Sequence, residues 1–312
     1  MEPADPERAI VVITGPTASG KSALALALAE RMGGTVINAD AMQTYDAFPR
    51  LTAQPTAAER QRVPHTLYGV LPLQETLSAA RWRDLAMAEI AACRSAGRVP
   101  VLCGGSGLYL RTLMQGIAPV PDVPAGLRDE ANADWQALGP DAFRARLAGV
   151  DPDLVQRLKL GDRQRHVRGW EVWRATGRPL SAWQRDAVPV PQGRFVTLLL
   201  APERGWLRRR IETRFDAMLR DGVVGEVRAV FERQPDPRWP GLKAHGAPEL
   251  FAHFRGEIGL DAARRIAIDH TRQYAKRQMT WFRHQMTPDV VVDPTHPPDL
   301  DGLEKYLTKT AA

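Results

Sequence analysis

Cysteine is scarce in this sequence, and long apolar runs are missing. The 312 residues include two cysteines, Cys93 and Cys103, which are too few for a disulfide framework and lack the histidine spacing of a zinc site. We therefore expect both to be core residues of a protein from a reducing compartment. No apolar run approaches the ~20 residues that span a bilayer, and the first ten residues lack the layout of a signal peptide. We expect a soluble, cytoplasmic protein without membrane contact.

Acidic residues are fewer than basic ones, with 36 Asp and Glu against 42 Lys and Arg and a net charge of +6. This excess permits a polyanionic partner. Richness in arginine and alanine is equally typical of a GC-rich genome, so composition alone leaves both interpretations open. A hydrophobic content of 44% is enough for the core of one large α/β domain plus a smaller module.

The segment Gly15–Ser22 reads GPTASGKS and matches the phosphate-loop pattern G-x-x-x-x-G-K-[ST] in full. It lies between the apolar, β-branched run 9–14, typical of a strand buried on both faces of a parallel sheet, and the helix formers of 22–30. Such a loop holds a diphosphate with backbone N–H groups, Lys21 adds positive charge, and the Ser22 hydroxyl is placed to bind Mg²⁺. The predicted phosphate-binding residues are Gly15, Pro16, Thr17, Ala18, Ser19, Gly20, Lys21 and Ser22.

The rest of the chain predicts an α/β fold of the P-loop NTPase type, in which a parallel sheet is flanked by helices. Further strands are expected at 35–38, 98–103 and 194–200, and further helices at 77–96, 108–115, 206–221 and 260–285. Between the proline-rich stretches 117–124 and 188–191 the pattern is helical and contains no convincing strand. We therefore predict a core of residues 1–117 and 194–312, with an all-helical domain inserted at 118–193.

Asp40 follows the second predicted strand, at the carboxyl end where open α/β sheets bind their ligands. We expect it to face the phosphate loop, where its carboxylate could hold a metal ion, act as a general base, or only cap a turn. The strand that ends at Cys103 runs into Gly-Gly-Ser-Gly and not into the acidic residue with which an ATPase holds its metal. A kinase or NTPase, the default interpretation of the loop, is thereby weakened but stays open.

Two basic segments are compatible with nucleic-acid binding and equally with solvated helix faces. Residues 161–168 contain three arginines, and Arg165 and Arg168 share one face of a helix. The second segment combines a basic stripe with aromatic side chains, a pattern that suits nucleic acid, unless the aromatic residues belong to the core. Its residues are Arg272, Lys276 and Arg283, interleaved with Tyr274, Trp281 and Phe282.

Taken together, these segments resemble the tRNA dimethylallyltransferase family, also called the tRNA isopentenyltransferases. The resemblance spans nearly the whole chain, through GPTASGKS at 15–22, NADAMQTYD at 38–46, PHTL at 64–67, GGSGLYL at 104–110, DRQRHVRGWEVWRATGRP at 162–179 and RQYAKRQMTWFR at 272–283. It implies Mg²⁺-dependent transfer of the dimethylallyl group from dimethylallyl diphosphate to the N6 amine of the tRNA adenosine 3′-adjacent to the anticodon. That base would have to be extruded from its stack. We expect a monomer, because one chain supplies both the donor loop and the tRNA surfaces.

The resemblance also implies roles for single residues. Asp40 would be the general base, Lys21 with the loop amides would hold the leaving diphosphate, and Ser106 keeps the hydroxyl of the threonine usual in the family. The inserted helical domain would grip the anticodon stem. The residues expected to bind tRNA are Asp40, Ala41, Met42, Gln43, Ser106, Arg128, Gln164, Arg165, His166, Val167 and Arg168, together with the basic stripe Arg272, Lys276 and Arg283.

Two positions depart from the family pattern. Ala41 stands where serine is common, and the segment 243–249 replaces a typical Gly-Tyr-Lys-Glu, with Pro248 removing a backbone donor. Neither change affects Asp40, Lys21 or Ser22, so we expect activity to survive. A P-loop kinase of small metabolites or nucleotides and a non-catalytic RNA-binding module are the two alternative hypotheses.

Overall fold

Six parallel strands form one sheet in the computed structural model, which describes residues 9–186 and 194–310. Their order across the sheet is β3-β2-β4-β1-β5-β6. The strands are β1 (Ile10–Thr14), β2 (Gly34–Asn38), β3 (His65–Thr66), β4 (Val99–Gly104), β5 (Phe195–Leu200) and β6 (Val290–Val292). Helices flank this sheet, which confirms the predicted fold class.

The helices lie between the strands and after the last strand. Those before residue 116 are α1 (Lys21–Arg31), α2 (Ala57–Arg62), α3 (Ala79–Ser95) and α4 (Gly107–Gln115). The middle of the chain forms α5 (Ala125–Ala148), α6 (Pro152–Arg157), α7 (Arg163–Thr176) and α8 (Leu180–Trp183). After β5 come α9 (Arg204–Arg220), α10 (Val223–Phe231), α11 (Ala247–Phe254), α12 (Leu260–Gln285) and α13 (Leu300–Thr310). None of these helices is long and apolar enough to cross a membrane.

The central strand β1 is fully buried, and its side chains alternate between two separate apolar clusters. Val12 packs into the cluster on one face of the sheet and Val11 into the cluster on the other. Such burial on both faces explains why the sequence of this strand is continuously apolar. The register pairs Thr14 with Gly104 and Asn38 with Cys103, so β1, β2 and β4 all end at the same edge. The loops that follow these three strands therefore meet there.

The chain divides into two compact units, one of residues 1–114 and 191–312 and the other of residues 115–190. The described part of the second unit is helical throughout, with its own core around Trp135, Phe143 and Trp170. Helix α5 bends at Gly139, which has a φ of 74° and precedes Pro140. The second predicted proline-rich stretch, at 188–191, lies outside the described residues.

Most long elements appear where the sequence predicts them. The predicted helix 260–285 coincides with α12, and the strand predicted at 98–103 lies within one residue of β4. The elements that sequence reasoning missed are shorter or lie in stretches without clear periodicity: β3, β6, α2, α10, α11 and α13. Strands β3 and β6 have two and three residues, and strands this short are defined by pairing with a neighbour and not by their own sequence pattern.

Candidate active site

The phosphate loop turns sharply between β1 and α1 so that backbone N–H groups are available to a ligand. Ala18 and Gly20 have φ angles of 64° and 93°, in the left-handed region that makes anion-binding concavities. Gly20 is the N-cap of α1 and forms no side-chain cap, so the first N–H groups of the helix are not occupied by a cap. The Ser19 hydroxyl is buried and has no partner among the described residues. The loop thus forms a cradle whose hydrogen-bond donors are available to an anionic ligand.

Two cationic side chains, Lys21 and Arg214, lie near this cradle, and the charge of Asp40 acts on both. Lys21 is buried, and its Nζ is 3.4 Å from the Pro16 carbonyl oxygen. Burial lowers the pKa of Lys21, and the charge of Asp40 partly opposes this effect. Burial likewise lowers the pKa of Arg214, a residue of α9, again opposed by Asp40. Within residues 9–186 and 194–310 neither cation forms a salt bridge, so the site has positive charge left for an anion.

Asp40 is held by a network that leaves one of its carboxylate oxygens open. Its backbone N–H donates to the Asn38 Oδ1 at 2.8 Å, and the Met42 N–H donates to the Asp40 Oδ1 at 3.0 Å. Asn38 is itself fixed, because its carbonyl accepts from the Trp82 indole at 3.0 Å. The Asp40 Oδ2 makes no hydrogen bond in the described part of the chain. The carboxylate therefore caps a turn with one oxygen and presents the other to solvent.

The turn after β4 lies directly against Asp40. A Cβ atom at Gly104 would come within 2.1 Å of the Ala39 carbonyl, so only glycine allows the two strand ends to approach this closely. The Ser106 N–H donates to the Ala39 carbonyl at 3.1 Å, and the Ala41 N–H donates to the Ser106 Oγ at 2.9 Å. The Ser106 hydroxyl keeps its own hydrogen, which no bond among the described residues uses.

A cleft that is open to solvent joins these groups to an apolar wall. Its lining includes Thr17 and Ala18 of the phosphate loop, together with Asp40 and Arg214. The apolar wall comes from several elements of the same unit: Leu51, Ile211, Phe215, Met218 and Ala244. The remaining lining residues are Met42, Thr52, His245, Thr271 and Tyr274. An anionic group and a short hydrocarbon chain can thus be bound side by side.

Comparison with known proteins gives one consistent result. A family model described as IPP transferase matches residues 43–285. The chain belongs to the IPP transferase family. It is 54% identical over 301 residues to the tRNA dimethylallyltransferase of Rhodospirillum centenum, covering 96% of each chain. It is 50% identical over 287 residues to that of Acidiphilium cryptum, covering 92% of this chain and 87% of the relative.

A solved structure supports the same assignment. The full-length tRNA isopentenylpyrophosphate transferase of Bacillus halodurans superposes with a TM-score of 0.70 at 29% identity, covering 98% of this chain and 97% of that one. These comparisons confirm the family resemblance seen in the sequence. The chain is therefore a transferase, and its phosphate loop belongs to a prenyltransferase fold.

For an IPP transferase that uses Mg²⁺, the available ligands would be few. Ser22 is exposed and lies near the Cys103 thiol. Burial raises the pKa of Cys103 to about 11. Strand β4 thus carries a neutral thiol near its end, with no carboxylate. The described residues contain no cluster of three or more metal-binding side chains. Mg²⁺ commonly takes one or two protein ligands together with substrate phosphates and water, so Ser22 with a bound diphosphate is a fitting ligand set.

The predicted tRNA-binding residues of the helical unit differ in their accessibility. Gln164 and Arg165 are exposed at the start of α7, while His166 and Val167 are buried in the core of this unit. The His166 ring packs 5.4 Å from that of Trp135. Direct side-chain contact of His166 or Val167 with a surface ligand is incompatible with this burial. Of these four residues, only Gln164 and Arg165 keep side chains that are accessible to tRNA. Helical periodicity explains the split, because successive residues point to different faces.

Arg128 and Arg168, also expected to bind tRNA, share one carboxylate. Arg128 of α5 and Arg168 of α7 bond to Glu171 at 3.2 Å and 2.7 Å. The Glu171 side chain is 2% exposed, whereas those of the two arginines are 53% and 37% exposed. The buried carboxylate therefore fixes two guanidinium groups at the surface of the helical unit.

The remaining predicted residues lie in the α/β unit. Lys276 and Arg283 are exposed on α12, whereas Arg272 is half-buried and paired with Glu212 and Asp269. Of their aromatic neighbours, Phe282 is a core residue and Tyr274 lines the cleft.

Near Asp40, Met42 also lines the cleft. Gln43 is buried, and its side-chain amide donates to the Thr52 and Ala53 carbonyls. It therefore stabilises the position of the segment around these two residues.

Sequence reasoning missed Arg214, His245 and Gln278. A signal for Arg214 was present, because it lies on the same side of α9 as the buried Ile211 and next to the buried Phe215. An arginine among core positions is rare unless it has a partner or a ligand. No comparable pattern marks His245 or Gln278, whose surroundings come from distant segments.

The departure at Pro248 has a simple structural explanation. Pro248 is the second residue of α11, where a backbone N–H has no partner within the helix. The Glu249 carboxylate accepts from the Gly246 N–H at 3.0 Å and closes the start of the helix. Proline therefore removes no helical hydrogen bond at this position.

Proposed function

We propose that this chain transfers a dimethylallyl group from dimethylallyl diphosphate to the N6 amine of a tRNA adenosine, the one 3′-adjacent to the anticodon. The observation that carries the proposal is the cleft, in which a phosphate cradle, an open carboxylate and an apolar wall are adjacent. The names of the relatives support the reaction class. A kinase would need a nucleoside site next to the cradle, where this chain has apolar side chains.

The donor would bind with its diphosphate in the loop and its five-carbon chain against the apolar wall. Lys21, Arg214 and the loop N–H groups would hold the anion. Burial of a methylene group contributes ~0.8 kcal/mol, so the wall formed by Ile211, Phe215 and their neighbours can add several kcal/mol of affinity. This apolar surface would also exclude water, which competes with the amine for the donor.

Asp40 is placed to act as the general base. Its open Oδ2 would accept a proton from the N6 amine while the new bond forms between N6 and C1 of the dimethylallyl group. The bond between C1 and the diphosphate oxygen breaks in the same reaction, and the electron pair leaves with the diphosphate. Lys21 and Arg214 would stabilise the charge that develops on this leaving group. Mg²⁺, held by the Ser22 hydroxyl and diphosphate oxygens, would supply further positive charge, and Ser106 would contact the reacting groups through its hydroxyl.

The acceptor adenosine would leave its stack to reach the cleft, at a cost of a few kcal/mol. Tyr274 and His245, whose rings lie 4.8 Å apart, form part of the cleft lining and offer aromatic surface to the base. The exposed cations Arg165, Lys276 and Arg283 would bind tRNA phosphates, and the helical unit would bind the anticodon stem. We further propose that the enzyme acts as a monomer in the cytoplasm.

Incubation with dimethylallyl diphosphate, Mg²⁺ and a tRNA that carries unmodified adenosine at the target position tests the proposal. Mass analysis of the tRNA nucleosides is expected to show about one prenyl group per tRNA, with release of diphosphate. A tRNA with guanosine at the target position is the control and should gain nothing. ATP turnover without prenylation would indicate a kinase, and tRNA binding without turnover would indicate an RNA-binding module. Either result contradicts the proposal.

Replacing Arg165 with alanine is expected to weaken tRNA binding about fivefold, close to 1 kcal/mol, and to lower the salt dependence by about one phosphate contact. Arg165 is 72% exposed and pairs with Asp162. The matched control is Arg185→Ala, because Arg185 is 65% exposed and pairs with Asp153 in the same unit but is not expected to contact tRNA. Filter binding at several salt concentrations measures both effects. Equal losses in the two variants would show only a general charge effect.

A further inference from the structure

The side-chain amide of Gln278 connects the phosphate loop to the turn that carries Ser106. Gln278 belongs to α12 and is 5% exposed. Its Oε1 accepts from the Thr17 N–H at 2.8 Å, and its Nε2 donates to the Gly105 carbonyl at 2.9 Å. A Cβ at Gly105 would lie 2.2 Å from that Nε2, so glycine at this position is required for the contact. The amide therefore bridges two loops that are far apart in sequence.

The bridge continues to Asp40 through the hydrogen bonds of the adjacent Ser106. The Ser106 Oγ accepts from the Ala41 N–H, and the Ser106 N–H donates to the Ala39 carbonyl. These two contacts flank Asp40 on both sides. These hydrogen bonds, together with the peptide bond between Gly105 and Ser106, thus connect the phosphate loop through Gln278 to the backbone on both sides of Asp40.

Helix α12 also packs closely beside this bridge. The Trp281 ring lies so close to Gly107 that a Cβ there would be 2.3 Å from it. Tyr274, one turn earlier on the same helix, lines the cleft. Helix α12 therefore contributes to the cleft and also packs against the turn that carries Ser106.

We infer that Gln278 is a positioning residue for prenyl transfer, which sets the distance between the donor diphosphate and the Asp40 carboxylate. This inference rests on the proposed function. The bridge needs an acceptor and a donor at the end of one side chain of this length. Glutamate lacks the donor, methionine has no donor and only a weakly accepting sulfur, and asparagine is one carbon shorter.

Two replacements of Gln278 test this role, with Gln273→Met as the matched control at an exposed position of the same helix. Gln278→Met keeps the size of the side chain and removes both bonds. We expect it to lower kcat about 10- to 100-fold, the effect of a misplacement near 1 Å, with tRNA affinity changed less than about twofold. Gln278→Glu should lower kcat similarly and also raise the donor KM, because it places a carboxylate beside the diphosphate. Gln273→Met should behave like the unchanged protein.

A double-mutant cycle with Ser106→Ala separates positioning from a purely structural role. If Gln278 acts through the Ser106 turn, the two losses in kcat will combine to less than their product. Thermal unfolding of each variant identifies any that fail to fold. If Gln278→Met does not fold, the kcat of Gln278→Glu, which retains the bond from Thr17, is compared with that of the unchanged protein in its place. A kcat within twofold of the unchanged protein in folded Gln278→Met, or fully independent losses in the cycle, would overturn the inference. Absence of transfer by the unchanged protein would instead contradict the proposed function.

Discussion

Asp40→Asn is expected to reduce the rate of prenyl transfer by about 10²-fold or more, as loss of a general base typically does. Asparagine preserves the Oδ1 that accepts from the Met42 N–H, so the turn should persist and only the basic oxygen is lost. Removal of the negative charge also leaves Lys21 and Arg214 without an opposing carboxylate. The donor should therefore bind at least as tightly as before, and tRNA affinity should stay nearly constant.

Single-turnover measurement with saturating tRNA and donor gives the rate for this variant. Asp46→Asn is the matched control, because Asp46 lies in the same motif but is exposed. Asp40→Ala should be at least as impaired, since it loses the turn bond as well. An unchanged rate in Asp40→Asn would reduce Asp40 to a turn cap and leave the reaction without its proposed base.

Lys21→Met is expected to lower kcat/KM for the donor by about 10²- to 10³-fold, equivalent to roughly 2.7–4 kcal/mol of leaving-group stabilisation. Methionine fills nearly the same volume but cannot carry charge. Because burial already disfavours the charged form of Lys21, its removal should not lower the thermal stability of the free protein. The loss should therefore appear in catalysis and not in folding.

Steady-state kinetics with varied donor, together with thermal unfolding, measure both parts of this second prediction. Lys305→Met removes the same charge from an exposed position in α13 and should leave kcat/KM unchanged. A Lys21→Met enzyme with normal use of the donor would show that the loop does not hold the leaving group.

The same phosphate loop would be assigned to a nucleotide site in many proteins, and the cleft beside it argues for another ligand. Ile211 and Phe215 come from α9, about 190 residues after the loop. Their side chains provide an apolar surface next to the cradle, which suits a short hydrocarbon chain. The specificity proposed here therefore depends on where a distant helix packs.

Local sequence determined the cradle, the strand that precedes it and the position of Asp40. A glycine-rich loop followed by Lys21 and Ser22 has one common conformation, and a buried parallel strand has a recognisable apolar run. For the same reason, the long amphipathic helix α12 was predictable to its ends. These features depend on residues that are neighbours in the chain.

Only the tertiary structure decided which side chains complete the site. Arg214 reaches the cleft from α9 and Gln278 reaches the loop from α12. The periodicity of α9 places Arg214 among core positions, but sequence spacing does not show what either side chain contacts. The burial of His166, in a segment that looks uniformly basic, likewise depends on packing against Trp135. Hydrogen bonds and desolvation act over a few ångströms in space, whereas these partners are separated by tens to hundreds of residues along the chain.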